Sequence, residues 1–108
     1  MLLLRRLTQL DASVFNLLST AHTSSRSSMS IDGFSCTEYG GHIFWDVDFW
    51  MVPPLALLDA PAAAAVQSFR GRTLEESQKV ASLYGMAGAQ FPWETAMSDG
   101  NMLCLCLV

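Results

Sequence analysis

A chain of 108 residues holds one small domain or a piece of a larger one. It is 51% apolar and only 15% charged, below the usual quarter for a soluble domain, so it has much to bury under a thin polar coat. Its net charge of −4, with six Lys and Arg that form no basic stripe, argues against nucleic-acid binding through phosphate contacts, and the lack of a run of about eighteen apolar residues argues against a membrane-spanning helix.

The opening Met1-Leu2-Leu3-Leu4-Arg5-Arg6 lacks the pattern of a signal peptide, because the arginines follow the short apolar run instead of preceding it. From Leu7 to Ala21 the apolar residues Leu7, Leu10, Val14, Leu17, Leu18 and Ala21 recur at three and four, which predicts an amphipathic helix. Residues 22–35 are polar and serine-rich, a composition that predicts a loop running to Gly33, with His22 solvated in it.

Gly40-Gly41 permits a tight turn. A helix is predicted from about Asp46 to Leu58, with Pro53 and Pro54 kinking it or ending its first half. Asp59-Ala60-Pro61 opens another over 61–70, where Pro61 takes a position that needs no N–H, and Gly71 breaks it. Thr73 and Glu76 form a capping-box pattern ahead of a helix over 74–84, with Gly85 as its left-handed terminator. So short a connection predicts an antiparallel hairpin between these last two helices.

No segment alternates apolar and polar residues for long enough to argue for a sheet. The chain therefore reads as all-α: three to four helices of uneven length, joined by long loops that carry aromatics, like a part of a larger body. The tail from Met102 to Val108 is apolar to its last residue. Leu103, Leu105 and Leu107 at alternate positions fit a strand, and the tail equally fits a divergent, non-native ending. The expected organisation is an N-terminal helix and serine-rich loop over 1–32, a helical domain over 33–100 and a divergent tail over 101–108.

Three cysteines, Cys36, Cys104 and Cys106, make no disulfide framework and no zinc spacing. Free thiols lean towards a reducing, cytoplasmic compartment, but the sequence carries no cellular address. No phosphate loop, dinucleotide fingerprint or nucleophile elbow occurs, and no cofactor or metal is expected.

All three tryptophans, Trp45, Trp50 and Trp93, lie within two residues of a carboxylate: Asp46, Asp48 or Glu94. This pairing suits sugars. The C–H face of a pyranose packs on an indole, and its hydroxyl edge seeks acceptors that a carboxylate supplies two at a time. Burying a carboxylate is costly without such partners. The alternative is structural: Trp45 and Trp50 as core, Asp46 as a helix cap, and His42 as a loop histidine packed on aromatics. Asp46 and Asp48, two apart on a helix, point to different sides and make a poor acid–base pair across one bond.

The string Gly40-Gly41-His42-Ile43-Phe44-Trp45-Asp46-Val47-Asp48-Phe49-Trp50-Met51 resembles the GHxFWDxDxWM segment of glycoside hydrolase family 65. That family includes acid trehalases, maltose and kojibiose phosphorylases, and the glucosidase that acts on glucosyl-galactosyl-hydroxylysine in collagen. Pro61 to Arg70 resembles its proline- and alanine-rich helix ending in Tyr-Arg, with Phe69 in place of Tyr. The stretch from Thr73 to Gly85 is similar to its next helix, with Ser77 and Val80 replacing Ala and Asn, and Ala87 to Ala96 resembles its turn centred on Pro-Trp-Glu. The motifs keep the family's order over about 33–96.

The resemblance implies the first part of an (α/α)6 toroid. It places His42, Trp45, Asp46, Trp93 and Glu94 at a glucose-binding subsite, with a glucose-containing saccharide or glycopeptide as ligand. The family's general acid and base would lie beyond this chain, and a toroid of about twelve helices of 11–12 residues exceeds its length. The implied chemistry is hydrolysis, with inversion, of an α-glucosidic bond in a trehalose-like or glucosyl-galactosyl-hydroxylysine substrate, hydrolase over phosphorylase on the Asp46-x-Asp48-x-Trp50 form. The implied chain is a truncated member, with no catalytic residue and no activity by itself. The alternative is a non-catalytic carbohydrate-binding or interaction fragment, and the oligomeric state is open.

Overall fold

A computed structural model describes residues 1–24, 28–31, 38–98 and 101–105. In chain order these form α1 (Leu2–Thr20), β1 (Ile43–Phe44), a π-helical turn (Val47–Met51) that runs into α2 (Val52–Leu58), α3 (Ala60–Arg72), α4 (Leu74–Leu83), β2 (Glu94–Ser98) and β3 (Asn101–Leu105). The chain is mostly helical, as the expected toroid fragment requires. What composition did not announce is the small antiparallel sheet, in the order β1-β2-β3.

α1 begins five residues earlier than the apolar spacing predicts, because Leu2 to Arg6 are all good helix formers. None of its residues is buried, and only its end, through Leu17 and then Ala21, packs on the core. Of the serine-rich stretch, 25–27 and 32–37 lie outside the described residues. Met29, however, is buried in the core cluster and Ile31 packs against it, so part of that stretch is anchored by two apolar side chains. His22 is not simply solvated: its Nδ1 accepts from the Ser24 amide at 3.2 Å and meets the Ser24 hydroxyl at 2.7 Å.

The double proline is absorbed by a change of helix register. The Val52 N–H reaches back five residues to the Val47 carbonyl, and Pro53 and Pro54 then sit in the first turn of α2. Asp59 separates α2 from α3 and caps the latter, its Oδ1 accepting from the Ala62 N–H at 3.0 Å. Leu55 from α2 meets Ala62, Ala63 and Val66 from α3 in the core, with Val47 and Met29 completing the cluster.

Two expectations about the next junction are corrected. α3 runs through Gly71 to Arg72, so Gly71 does not break it, and Thr73 alone connects it to α4. α3 packs chiefly on α2 and not in a hairpin with α4. The capping box does not form either. The Thr73 hydroxyl donates back to the Phe69 and Arg70 carbonyls at 3.1 and 3.3 Å, and Glu76 turns outward to Lys79 at 2.7 Å. Thr73 is buried against the preceding helix, and that position takes its side chain away from the α4 amides. The α4 terminator is as predicted: Gly85 has φ +69°, its N–H donates to the Ser82 carbonyl, and Met86 N–H donates to that of Ala81.

In the sheet, Ile43 pairs with Thr95 and Phe44 with Glu94. β2 then pairs with β3 from Glu94–Leu105 to Ser98–Asn101, so the strand alternative for the tail is realised over Asn101–Leu105, while Cys36 and 106–108 lie outside the described residues. Ile43, Phe44 and Thr95 are buried. The sheet thus brings residues near 43 and near 94, fifty apart in the chain, to one place.

A candidate sugar-binding cleft

The segment before β1 bends back on itself. Tyr39, Gly40 and Gly41 are consecutive left-handed residues, with φ of 53°, 61° and 73°, and the His42 N–H closes the turn on the Tyr39 carbonyl at 3.0 Å. A side chain at Gly40 would place its Cβ 3.3 Å from His42 Nε2, so the glycine also makes room for the imidazole. His42 turns its Nδ1 to Glu94 Oε1 at 2.5 Å. Both side chains are mostly sheltered from solvent.

One step along the sheet, the Trp45 N–H donates to the Trp93 carbonyl at 3.2 Å. The Phe44 ring meets Trp93 edge-on at 5.2 Å and Tyr39 edge-on at 5.5 Å. Trp45 and Trp93 stay 42% and 53% exposed, which is unlike core tryptophans. Both open onto one cleft of about 750 Å³. One wall carries Trp45, Asp48 and Phe49, the α3 side carries Gln67 and Arg70, and the far wall is the segment from Ala89 to Trp93. That far wall is tied to α4 by the Gln90 N–H, which donates to the Ser77 carbonyl at 2.9 Å.

The remaining candidates are placed differently. Glu94 and His42 pair beside Trp93 and do not line the cleft itself. Asp46 is half-buried next to Trp45, makes no side-chain capping bond and also does not line the cleft. The alternative role of Asp46 as a cap is therefore not the one it plays. Trp50 is 75% exposed and belongs to a separate recess of about 370 Å³ with Leu17, Ile31 and Met51. Among the described residues, no group of three His, Cys, Asp or Glu side chains is placed to hold a metal, and no helix is long and apolar enough to cross a membrane.

Sequence reasoning did not anticipate the polar centre of the cleft. Arg70 Nε and Nη2 donate to Asp48 Oδ2 at 2.9 and 2.5 Å, and Nη2 reaches the Phe44 carbonyl at 3.4 Å. The guanidinium lies 5.9 Å from the centre of the Phe91 ring. An arginine near the end of an alanine-rich helix with no acidic residue three or four positions before it, 22 residues from an aspartate between two tryptophans, was the available signal.

Residues 11–104, nearly the whole chain, match the glycosyl hydrolase family 65 central catalytic domain. The chain belongs to glycoside hydrolase family 65. It is 40% identical over 88 residues to the kojibiose hydrolase of Flavobacterium johnsoniae, a match covering 82% of this chain and 13% of that protein. To the protein-glucosylgalactosylhydroxylysine glucosidase of Gallus gallus it is 43% identical over 67 residues, covering 62% of this chain and 9% of the relative. To the kojibiose phosphorylase of Escherichia coli it is 34% identical over 91 residues, covering 82% and 12%. This family 65 chain thus spans about an eighth or less of the length of these curated relatives. No solved structure matches it.

Proposed function

We propose that this family 65 chain forms part of the glucose-binding cleft of a glycosidase that hydrolyses an α-glucosidic bond with inversion. Trp45 and Trp93 pack on the apolar faces of the saccharide. Glu94, oriented by His42, and Asp46, which has no partner among the described residues, flank the indoles without lining the cleft and accept hydroxyl hydrogens of the saccharide at its edge. The observation that carries this reading is the joining of two half-exposed indoles, by a main-chain hydrogen bond, at the mouth of one cleft. The substrate is a glucosyl disaccharide of the kojibiose type or a glucosyl-galactosyl-hydroxylysine glycopeptide, in keeping with the relatives named above. Hydrolysis is preferred to phosphorolysis on the Asp46-x-Asp48-x-Trp50 form of the segment that carries the first two tryptophans.

Aromatic stacking and hydroxyl acceptors supply binding, not bond cleavage. The 108 residues by themselves therefore bind saccharide without turning it over, and turnover needs an acid and a base that this segment does not supply. Titrating the chain with kojibiose, with intrinsic tryptophan fluorescence for binding and released glucose for turnover, tests both parts. Saturable binding without glucose release is expected. No binding, or glucose release from the pure chain, contradicts the reading, and a phosphate requirement for such release would favour phosphorolysis.

A further inference from the structure

We infer that Arg70 is the positioning residue that sets the relation between the two walls of the cleft; this deepens the sugar-binding reading and rests on it. Its side chain is 13% exposed and reaches from α3 to three other parts of the fold. Nε and Nη2 hold Asp48, three residues after Trp45. Nη2 also takes the Phe44 carbonyl, and Phe44 in turn supports Trp93 edge-on. The guanidinium carbon stands over the ring of Phe91, two residues before Trp93, at 5.9 Å from its centre. One planar cation thereby braces both tryptophan-bearing walls at once.

The roles are separable by chemistry. An ammonium has the charge to pair with Asp48 but not the spread of donors to hold Asp48 and the Phe44 carbonyl at once from over the Phe91 ring. Nη1 is buried with no acceptor among the described residues, so the fold tolerates an imperfectly satisfied guanidinium there. Asp48 and Arg70 are thus tied to placing the indoles, and Asp48 is not free to serve as an acid or base.

Three tryptophans make the test direct, because the chain has three indole N–H resonances. R70K and D48N are compared with the unmodified chain by ¹⁵N-resolved NMR, with Trp50 as the internal control outside the cleft. Both variants are expected to shift the Trp45 and Trp93 indole signals clearly more than that of Trp50, and to weaken kojibiose binding about tenfold. Equal movement of all three signals would mean general loosening of the fold, and no movement of the cleft pair would mean no brace. Either result overturns the inference. If the unmodified chain does not respond to kojibiose, the sugar reading fails, while the indole comparison still decides the role of Arg70.

Discussion

Gly40 and Thr95 show how single positions around the cleft are constrained. Gly40 is left-handed at φ +61°, with His42 Nε2 only 3.3 Å from where a Cβ would sit. Gly40→Ala should cost about 1–2 kcal/mol of stability and displace the imidazole from Glu94, lowering the thermal midpoint and weakening saccharide binding together. H42N should weaken binding with a smaller effect on the midpoint. Thr95 is the opposite case. It is fully buried, and its hydroxyl has no partner among the described residues. Thr95→Val keeps the shape and removes the unsatisfied group, so it should be neutral or stabilising by about 1 kcal/mol in a urea melt. A destabilised valine variant would show that the hydroxyl has a partner in solution. Neither position announces itself in the sequence. The Gly-Gly pair signals a turn, but the His42–Glu94 contact joins residues 52 apart, which no local spacing reveals.

At the scale of elements, the helices were legible and the sheet only through its tail strand, β3. Asp59 before Pro61 and Gly85 after Leu83 mark helix limits by local chemistry and appear where the sequence puts them, whereas apolar periodicity found α1 but set its start five residues late. β1 is only two residues long and buried throughout, too short to alternate. The Asp99-Gly100 pair between Ser98 and Asn101 was a readable hairpin signal for β2 and β3. The capping box failed because tertiary burial of Thr73 outweighed a local motif. The contrast between the two caps is measurable. Asp59→Ala should cost about 1 kcal/mol, because its carboxylate holds the Ala62 N–H. Glu76→Ala should leave the melting midpoint within about 2 °C, since among the described residues the Glu76 carboxylate meets the exposed Lys79 alone. A cost for Glu76→Ala equal to that of Asp59→Ala would restore the capping box.

For the whole molecule, family membership explains a surface that a free-standing domain would not carry. Leu57 and Leu83 are 89% and 84% exposed, and Leu3, Leu7 and Leu10 line an unburied stretch of α1. In a toroid, such side chains are covered by neighbouring helices; left open, they bind hydrophobic dyes and promote association. The chain should therefore enhance anilinonaphthalene sulfonate fluorescence at neutral pH and sediment with concentration-dependent association, and a dye-silent monomer would contradict this. The motif order named Trp45 and Trp93, which share the cleft, along with His42, Asp46 and Glu94, which do not line it; the polar floor was not legible, because Arg70 and Asp48 come from separate elements 22 residues apart.

Saturation-transfer NMR of the chain with kojibiose tests the shared cleft most directly, because it reports which sugar protons lie against aromatic side chains. Transfer to the C–H face of the glucosyl ring is predicted, reduced strongly in both Trp45→Ala and Trp93→Ala and unchanged in Trp50→Ala. Absence of transfer, or transfer that depends on Trp50 instead, would contradict the account.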